Sequence, residues 1–267
     1  MHPFVALMRR YCIDYTNSHD QSVCDSIMDP DYVVHIGGFD LPLDALYKPT
    51  VANLFERSPG LGLVVHEFVL NGERLCMSFS EHAAMPVGDG TAFACWRGIG
   101  LYRWNGTRLV ENWVEQDHLA MQEQLASGTP HVLEPPHLDP WVGTKPIAAN
   151  PAAEDVIRAW LGAGDLTNAS WVQIDDTAPN APWSPAVDMA TVRIDDLFSA
   201  GDRVPFHVTM TGTYTGAIAS IPDEHVGKEV TLPMSGIATV REGRVHAVRV
   251  VTSRSAINYQ LTQTLPI

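Results

Sequence analysis

The sequence predicts an α+β protein built from two tandem copies of one fold. In residues 1–126, helical patterns come first and strand patterns separated by Gly-containing turns follow. Parts of this order recur toward the C-terminus at a period too long for a solenoid, which favours a duplicated domain of common size. A Pro-rich segment without periodicity, residues 127–151, is predicted to be the linker, and residues 152–267 form the second copy.

Helices are predicted at the start of the first copy. Tyr11 and Tyr15 continue an apolar pattern at helical spacing that begins at Phe4, which indicates an amphipathic helix. A short helix over residues 20–28, a strand over 32–36 and a third helix over 50–57 are expected next. The second copy is predicted to open with a helix over residues 154–161.

An antiparallel meander is predicted after the helices of the first copy. Strand-like runs occupy residues 63–70, 74–83, 92–103 and 108–116, and sequences such as Asn105-Gly106 between them favour hairpin turns. Helices followed by a meander allow the sheet to curl around the helices. We therefore expect two cone-like domains, each a curled antiparallel sheet wrapped around N-terminal helices.

Two sequence features recur between the copies. The Gln124-Leu125 pair recurs as Gln260-Leu261, 136 residues later (260 − 124), and Gly-Glu-Arg-Leu at 72–75 recurs as Gly-Asp-Arg-Val at 201–204, 129 residues later (201 − 72). Counting back eight residues from each Leu reaches Asp117 in the first copy and Ser253 in the second. The second copy therefore lacks the acid and is expected to complete a sheet-to-sheet interface and to help close the first pocket.

Composition limits the expected partners and compartment. The net charge is −14 and no basic stripe exists, so neither nucleic acid nor an anionic membrane is an expected partner. The apolar run at residues 3–8 is shorter than the core of a signal peptide, and no run approaches the roughly 20 apolar residues of a membrane span. A cytoplasmic protein is expected.

Metal and cofactor sites are not predicted. The histidines show neither HxH nor HExxH spacing, and no Gly-rich phosphate or dinucleotide loop is present. The four cysteines lie in apolar segments without CxxC spacing, so they are expected to be reduced core residues.

A pattern at the end of the first copy resembles a known family. It comprises Tyr102-Arg103, Gly106, Leu109-Val110, Glu111-x-Trp113, Asp117 and Gln124-Leu125. This pattern is similar to the end of SnoaL-like domains in the nuclear transport factor 2-like superfamily, which includes ketosteroid isomerases, scytalone dehydratase, limonene epoxide hydrolase and polyketide cyclases. Family members usually dimerise through their sheets, so the resemblance implies a covalent pseudo-dimer, either monomeric or paired again as a homodimer.

Asp117 is the main catalytic candidate. Strand alternation puts Glu111, Trp113, Glu115 and Asp117 on one face. If that face lines the cone, the Asp117 carboxyl lies in an apolar cleft, where its pKa rises and it exchanges protons near neutral pH. The resemblance implies that this aspartate is the general acid/base. The alternative is that Asp117 only caps the helix that follows.

His82 is the second catalytic candidate. It lies on the strand that the family uses to place a histidine in the pocket, although a structural histidine is an equal alternative. In the second copy, residues 212–216 are similar to the Gly-Thr-His-Thr-Gly of the family with Tyr214 in place of His, and an ungapped count from the repeated Gly aligns Tyr214 with Met85.

Aromatic and histidine side chains are the candidate pocket walls. They suit a flat, partly aromatic ligand, and core packing explains the same residues equally well. The candidates are Tyr11, Tyr15, His35, Trp96, Tyr102 and Trp113.

The resulting functional hypothesis is a cofactor-independent cyclase, isomerase or dehydratase. Its substrate would be a small hydrophobic carbonyl compound, such as a polyketide, steroid-like or aromatic intermediate. Epoxide or lactone hydrolysis is an alternative that needs a second acid and an arginine in the pocket, and Glu115 is the only nearby acid. A non-catalytic binding or scaffold protein is the other alternative.

Overall fold

Two sheets, each with its own helices, build the protein, and the computed structural model describes residues 1–263. The last four residues of the predicted second copy lie outside the described residues. The helices are α1 (Pro3–Arg9), continued by π-helical turns (Arg10–Asn17), α2 (Cys24–Ile27), α3 (Lys48–Arg57), α4 (His118–Ser127), α5 (Pro151–Ala163) and α6 (Arg254–Thr262). The strands are β1 (Met28–Ile36), β2 (Phe39–Pro42), β3 (Gly62–Leu70), β4 (Arg74–Val87), β5 (Gly90–Trp104), β6 (Leu109–Gln116), β7 (Trp171–Ile174), β8 (Val187–Leu197), β9 (Arg203–Tyr214), β10 (Glu229–Arg241) and β11 (Arg244–Thr252).

The two sheets have matching topology. The first has the order β2-β1-β6-β5-β4-β3, and the second has the order β7-β11-β10-β9-β8. Both are antiparallel meanders joined by one parallel strand, β1 beside β6 and β7 beside β11. The predicted α+β class and the two-sheet arrangement are confirmed. The sheets are mixed instead of purely antiparallel, because the first strand of each half runs alongside the last one in the same direction.

Most predicted elements of the first half (residues 1–127) are present. The four meander strands begin and end within four residues of the predicted bounds, and all four cysteines are free and buried. The helix predicted over residues 20–28 is reduced to a short 3₁₀ turn and α2, because Met28 already belongs to β1.

A duplicated hydrogen-bond device fixes the register of the repeat. The Gln124 side chain donates to the Cys95 carbonyl at 2.8 Å and accepts from the Cys95 amide at 3.1 Å. Gln260 makes the same two bonds with Thr231, both at 2.8 Å. The offset is 136 in both positions (260 − 124 and 231 − 95), so the predicted alignment of Asp117 with Ser253 is confirmed, and each of these residues is the N-cap of the last helix in its half.

The first hairpin strand follows the other predicted offset. His82 pairs with Cys95 across β4 and β5, and Thr211 pairs with Thr231 across β9 and β10. The offset from His82 to Thr211 is therefore 129 (211 − 82), which aligns Tyr214 with Met85. The family-like Tyr214 motif consequently has its counterpart at Met85, and His82 is not the equivalent histidine.

Removing either glutamine tests this duplicated device. We expect Gln124→Ala and Gln260→Ala each to lower the free energy of unfolding by about 2 kcal/mol, because a buried backbone amide and carbonyl lose their partner. Denaturant titration measures the change. Gln263→Ala, at an exposed position, serves as the control, and wild-type stability in either test variant contradicts the assignment.

The sheets of the two halves pack against each other. An apolar cluster between them contains Val69, Cys76, Ile99, Leu101, Phe198, Ala200, Ile237 and Val251. Arg203 pairs with Glu67 at 2.5 Å across this interface, and Arg74 pairs with Asp196. The first sheet is therefore buried on both faces: its own helices cover one, and the second half (residues 151–263) covers the other.

Candidate active site

A cavity of about 430 Å³ lies between the first sheet and its helices. Its walls are mainly aromatic and aliphatic, with a few polar groups. The polar or aromatic residues include Tyr11, Tyr15, Tyr47, Glu81, Trp96, Tyr102, Asn112, Gln116 and His118, and the second half contributes Ser253, Ser255 and Ala256. Four of the predicted wall residues, Tyr11, Tyr15, Trp96 and Tyr102, line this cavity.

Glu81 is the acid of the cavity. It lies on β4 between Phe79 and Met85, which line the cavity from the same strand. Its side chain is buried, with 7% of the residue exposed. Burial raises the pKa of Glu81 to about 7, and the neighbouring Gln116 amide opposes that rise. A carboxyl with a pKa near 7 is half-ionised at neutral pH, so it can both accept and donate a proton.

Trp96 and Gln116 surround the acid. Trp96 is directly opposite Glu81 on β5, and its indole Nε1 donates to the Gln116 side chain at 2.7 Å. This bond orients the Gln116 amide beside the carboxyl. His118 also lines the cavity, and burial lowers its pKa to about 4, so its imidazole is neutral at pH 7.

Tyrosines occupy the part of the cavity near Asn112. The hydroxyls of Tyr11 and Tyr47 are 3.5 Å apart, and the ring of Tyr11 meets that of Tyr102 edge-on at 5.8 Å. Burial raises the pKa of Tyr11 and Tyr15, so both hydroxyls stay protonated. The Tyr15 hydroxyl has no hydrogen-bond partner among residues 1–263, which leaves a donor for a bound oxygen.

The second half has no counterpart of this acid. The repeat offsets align Glu81 with Met210, and both Met210 and Leu232, the counterpart of Trp96, belong to the apolar core. The polar site is therefore confined to the first half.

Asp117 does not line the cavity, and the expectation about its strand face is corrected. Asn112, Val114 and Gln116 of β6 face the cavity, whereas the odd-numbered residues face the second half. The Asp117 carboxylate accepts from the Ala120 amide at 3.2 Å and therefore caps α4, as in the alternative interpretation. A catalytic role for Asp117 has no support from this position and stays a prediction.

Asp117 belongs to a buried ion cluster between the halves. Arg254 donates to Asp117 at 2.7 Å and to Asp176 at 2.8 Å, and it lies 3.3 Å from Asp175. Burial raises the pKa of Asp117, and Arg254 opposes that rise. Acids and an arginine, the combination required for hydrolysis, therefore meet, but none of them lines this cavity or a second one of about 290 Å³ beside β7.

Three other predicted residues also lie outside the cavity lining. His82 faces away from the cavity, where its ring bonds the Ser80 hydroxyl at 2.8 Å. His35 stacks on Trp113 at 3.7 Å on the face turned toward the second half. Glu115, the proposed second acid, bonds His207 of that half at 3.0 Å. Strand alternation explains all of these positions, because the neighbouring residues on each strand face the cavity.

The comparisons with known proteins add similarity in fold. No family model and no curated protein matches the sequence. A candidate polyketide cyclase from Streptomyces antibioticus matches with 19% identity over 47% of this chain and 99% of its own, at a TM-score of 0.42. A candidate SnoaL-like polyketide cyclase from Jannaschia matches with 16% identity over 47% of this chain and 92% of its own, at a TM-score of 0.40.

The chain is similar to SnoaL-like polyketide cyclases in these structures. A candidate hydroxylase from Streptomyces galilaeus is a further match, with 17% identity over 48% of this chain and 98% of its own, at a TM-score of 0.41. Each match thus spans about half of this chain. The resemblance predicted from the sequence is confirmed at the level of fold.

Two searches of the described residues concern metals and membranes. Within residues 1–263, no group of three or more His, Cys, Asp or Glu side chains is arranged to hold a metal ion. No helix in the same range has the length and apolar character of a membrane span.

Proposed function

We propose that the protein is a cofactor-independent acid/base enzyme in which Glu81 moves a proton on a small hydrophobic carbonyl compound. The observation that carries the proposal is a single carboxyl with a pKa of about 7 in a cavity with mainly apolar walls. Its form suits a flat, partly aromatic molecule, because Trp96 and several tyrosines line it.

The chemistry begins with the ionised Glu81. The carboxylate takes a proton from the carbon next to the carbonyl, the C–H electron pair passes into an enolate, and Glu81 becomes the neutral acid. The protonated hydroxyls of Tyr11 and Tyr15 are donors for the enolate oxygen. Glu81 then returns the proton to carbon or oxygen. Cyclisation, isomerisation and dehydration share this first step, so the proposal covers all three reaction types.

Hydrogen exchange of a probe ketone tests the shared step. 2-Tetralone is flat, partly aromatic and acidic next to its carbonyl, and its exchange with D₂O is followed by NMR. We expect the protein to accelerate exchange above the buffer rate, with a rate that rises through about pH 7 as Glu81 loses its proton. Exchange at the buffer rate, or a profile without this inflection, contradicts the proposal.

Glu81 also makes stability depend on pH. Its pKa is raised from 4.5 to about 7 in the fold. The native state therefore binds more protons between these values, and stability falls as pH rises through this window. At about 1.4 kcal/mol per pKa unit, the loss is about 3 kcal/mol.

The neutral variant Glu81→Gln should avoid this loss. We expect it to unfold with a free energy about 3 kcal/mol higher than wild type at pH 8 and nearly equal to wild type at pH 4. Urea titrations at the two pH values measure the difference. A variant that is less stable than wild type at pH 8 contradicts a buried, strained carboxylate.

A further inference from the structure

We propose that the second half completes the first-half site by binding a distal, uncharged oxygen of the substrate through Ser253 and Ser255. This inference rests on the proposed function, because it concerns the substrate of the same cavity. Both serines line the cavity although they lie 172 and 174 residues after Glu81 in the chain (253 − 81 and 255 − 81).

The two serine side chains are polar, buried and without partners. Ser253 is 2% exposed and Ser255 is 3% exposed. Ser253 is the N-cap of α6, yet its hydroxyl makes no capping bond. Within residues 1–263, no hydrogen bond of either hydroxyl is found, and neither belongs to the atoms sealed from the cavity. Two buried hydroxyls facing a cavity leave hydrogen-bonding capacity for a bound molecule.

The strand pairing places the serines and Glu81 on different sides of the cavity. Ser253 lies beside Gly37, whose amide donates to Glu115 at 3.0 Å, so the serine is next to the end of β1. Glu81 lies on β4, and β6 and β5 separate β1 from β4. At roughly 4.8 Å per strand, this is about 14 Å along the sheet. A substrate in contact with both groups therefore carries oxygens at two distant positions.

The charges around α6 favour an uncharged oxygen. A helix N-terminus attracts negative charge, but here Asp117, Asp175 and Asp176 surround Arg254, the first residue of α6. Three carboxyls against one guanidinium oppose a further anion. A hydroxyl or keto oxygen can still bond both serines. The inferred substrate class is a polyoxygenated, uncharged aromatic or cyclic ketone.

Two related ketones test this inference by binding. 6-Hydroxy-2-tetralone has a hydroxyl at the end opposite its carbonyl, and 2-tetralone lacks it. We expect wild type to bind the hydroxylated ketone roughly tenfold more tightly by calorimetry, and the Ser253→Ala/Ser255→Ala variant to bind both equally. Ser235→Ala removes a buried, unpartnered hydroxyl that does not line the cavity, so it should keep the wild-type ratio.

The outcomes separate this inference from the proposed function. Wild type that shows no preference, a double variant that keeps the preference, or tighter binding of 6-carboxy-2-tetralone overturns the role of the serines. None of these results depends on proton transfer. Conversely, exchange of 2-tetralone tests Glu81 alone, so a failed exchange experiment leaves the binding ratio as an independent result.

Discussion

Glu81→Gln should lower the protein-catalysed exchange of 2-tetralone by roughly 10²- to 10⁴-fold. Glutamine is similar in size and polarity but cannot accept the proton, and general acid/base catalysis contributes a factor of this order. The cavity walls stay in place, because Glu81 supplies no recorded structural bond other than its contact with Gln116. Binding of 2-tetralone should consequently change little while exchange falls to the buffer rate.

Two further variants show whether the loss belongs to Glu81. Glu73→Gln changes an exposed turn residue and should leave exchange unchanged. Asp117→Asn tests the acid that the family resemblance implied, and we expect exchange to persist in whatever fraction of this variant is folded. Exchange that is lost with Asp117 and kept without Glu81 would reverse the assignment.

Arg254→Met should lower the free energy of unfolding by about 3–5 kcal/mol at pH 8. The arginine is the cation that pairs with the buried Asp117 and Asp175, which are 1% and 2% exposed as residues. Its removal leaves two buried carboxylates without a countercharge, and a broken buried pair costs an amount of this order. Methionine keeps much of the length and apolar volume of the side chain.

The pH dependence of this loss identifies its cause. Burial raises the pKa of Asp175 to about 7 even with Arg254 present, so its carboxyl protonates readily as pH falls. The deficit of Arg254→Met should therefore shrink at pH 5. Arg158→Met, which breaks one exposed pair with Glu154, should change stability by less than about 1 kcal/mol. A similar loss in both variants contradicts the buried cluster.

The order of elements could be predicted from the sequence because local patterns determine it. Asn105-Gly106 and the apolar runs around it correctly predicted the β5–β6 hairpin, since turn chemistry is set by the adjacent residues. The Gln124 and Gln260 pairs revealed the repeat, because both side chains bond the same backbone position in each half.

The facing of β6 could not be predicted in the same way. Alternation tells which residues share a face but not which face meets the cavity. In this sheet the second half covers the opposite face, so Trp113 and Glu115 are buried there as fully as Val114 is in the cavity wall. Polarity could not distinguish two buried faces.

The sequence does contain a signal for Glu81. Alternate positions from Leu75 to Met85 are apolar except for Glu81, and all of them are buried. A single acid on an otherwise apolar strand face is costly unless it serves a function. In contrast, the meeting of Ser253 with Gly37 depends on how the two sheets pack, and no local pattern encodes it.

Titration of the Glu81 carboxyl by ¹³C NMR tests the central claim most directly. Comparison with the spectrum of Glu81→Gln assigns the resonance. We predict an inflection near pH 7, because burial in the cavity disfavours the charged form. An inflection below pH 5 would mean a solvated, ordinary carboxylate and would contradict the proposed proton transfer.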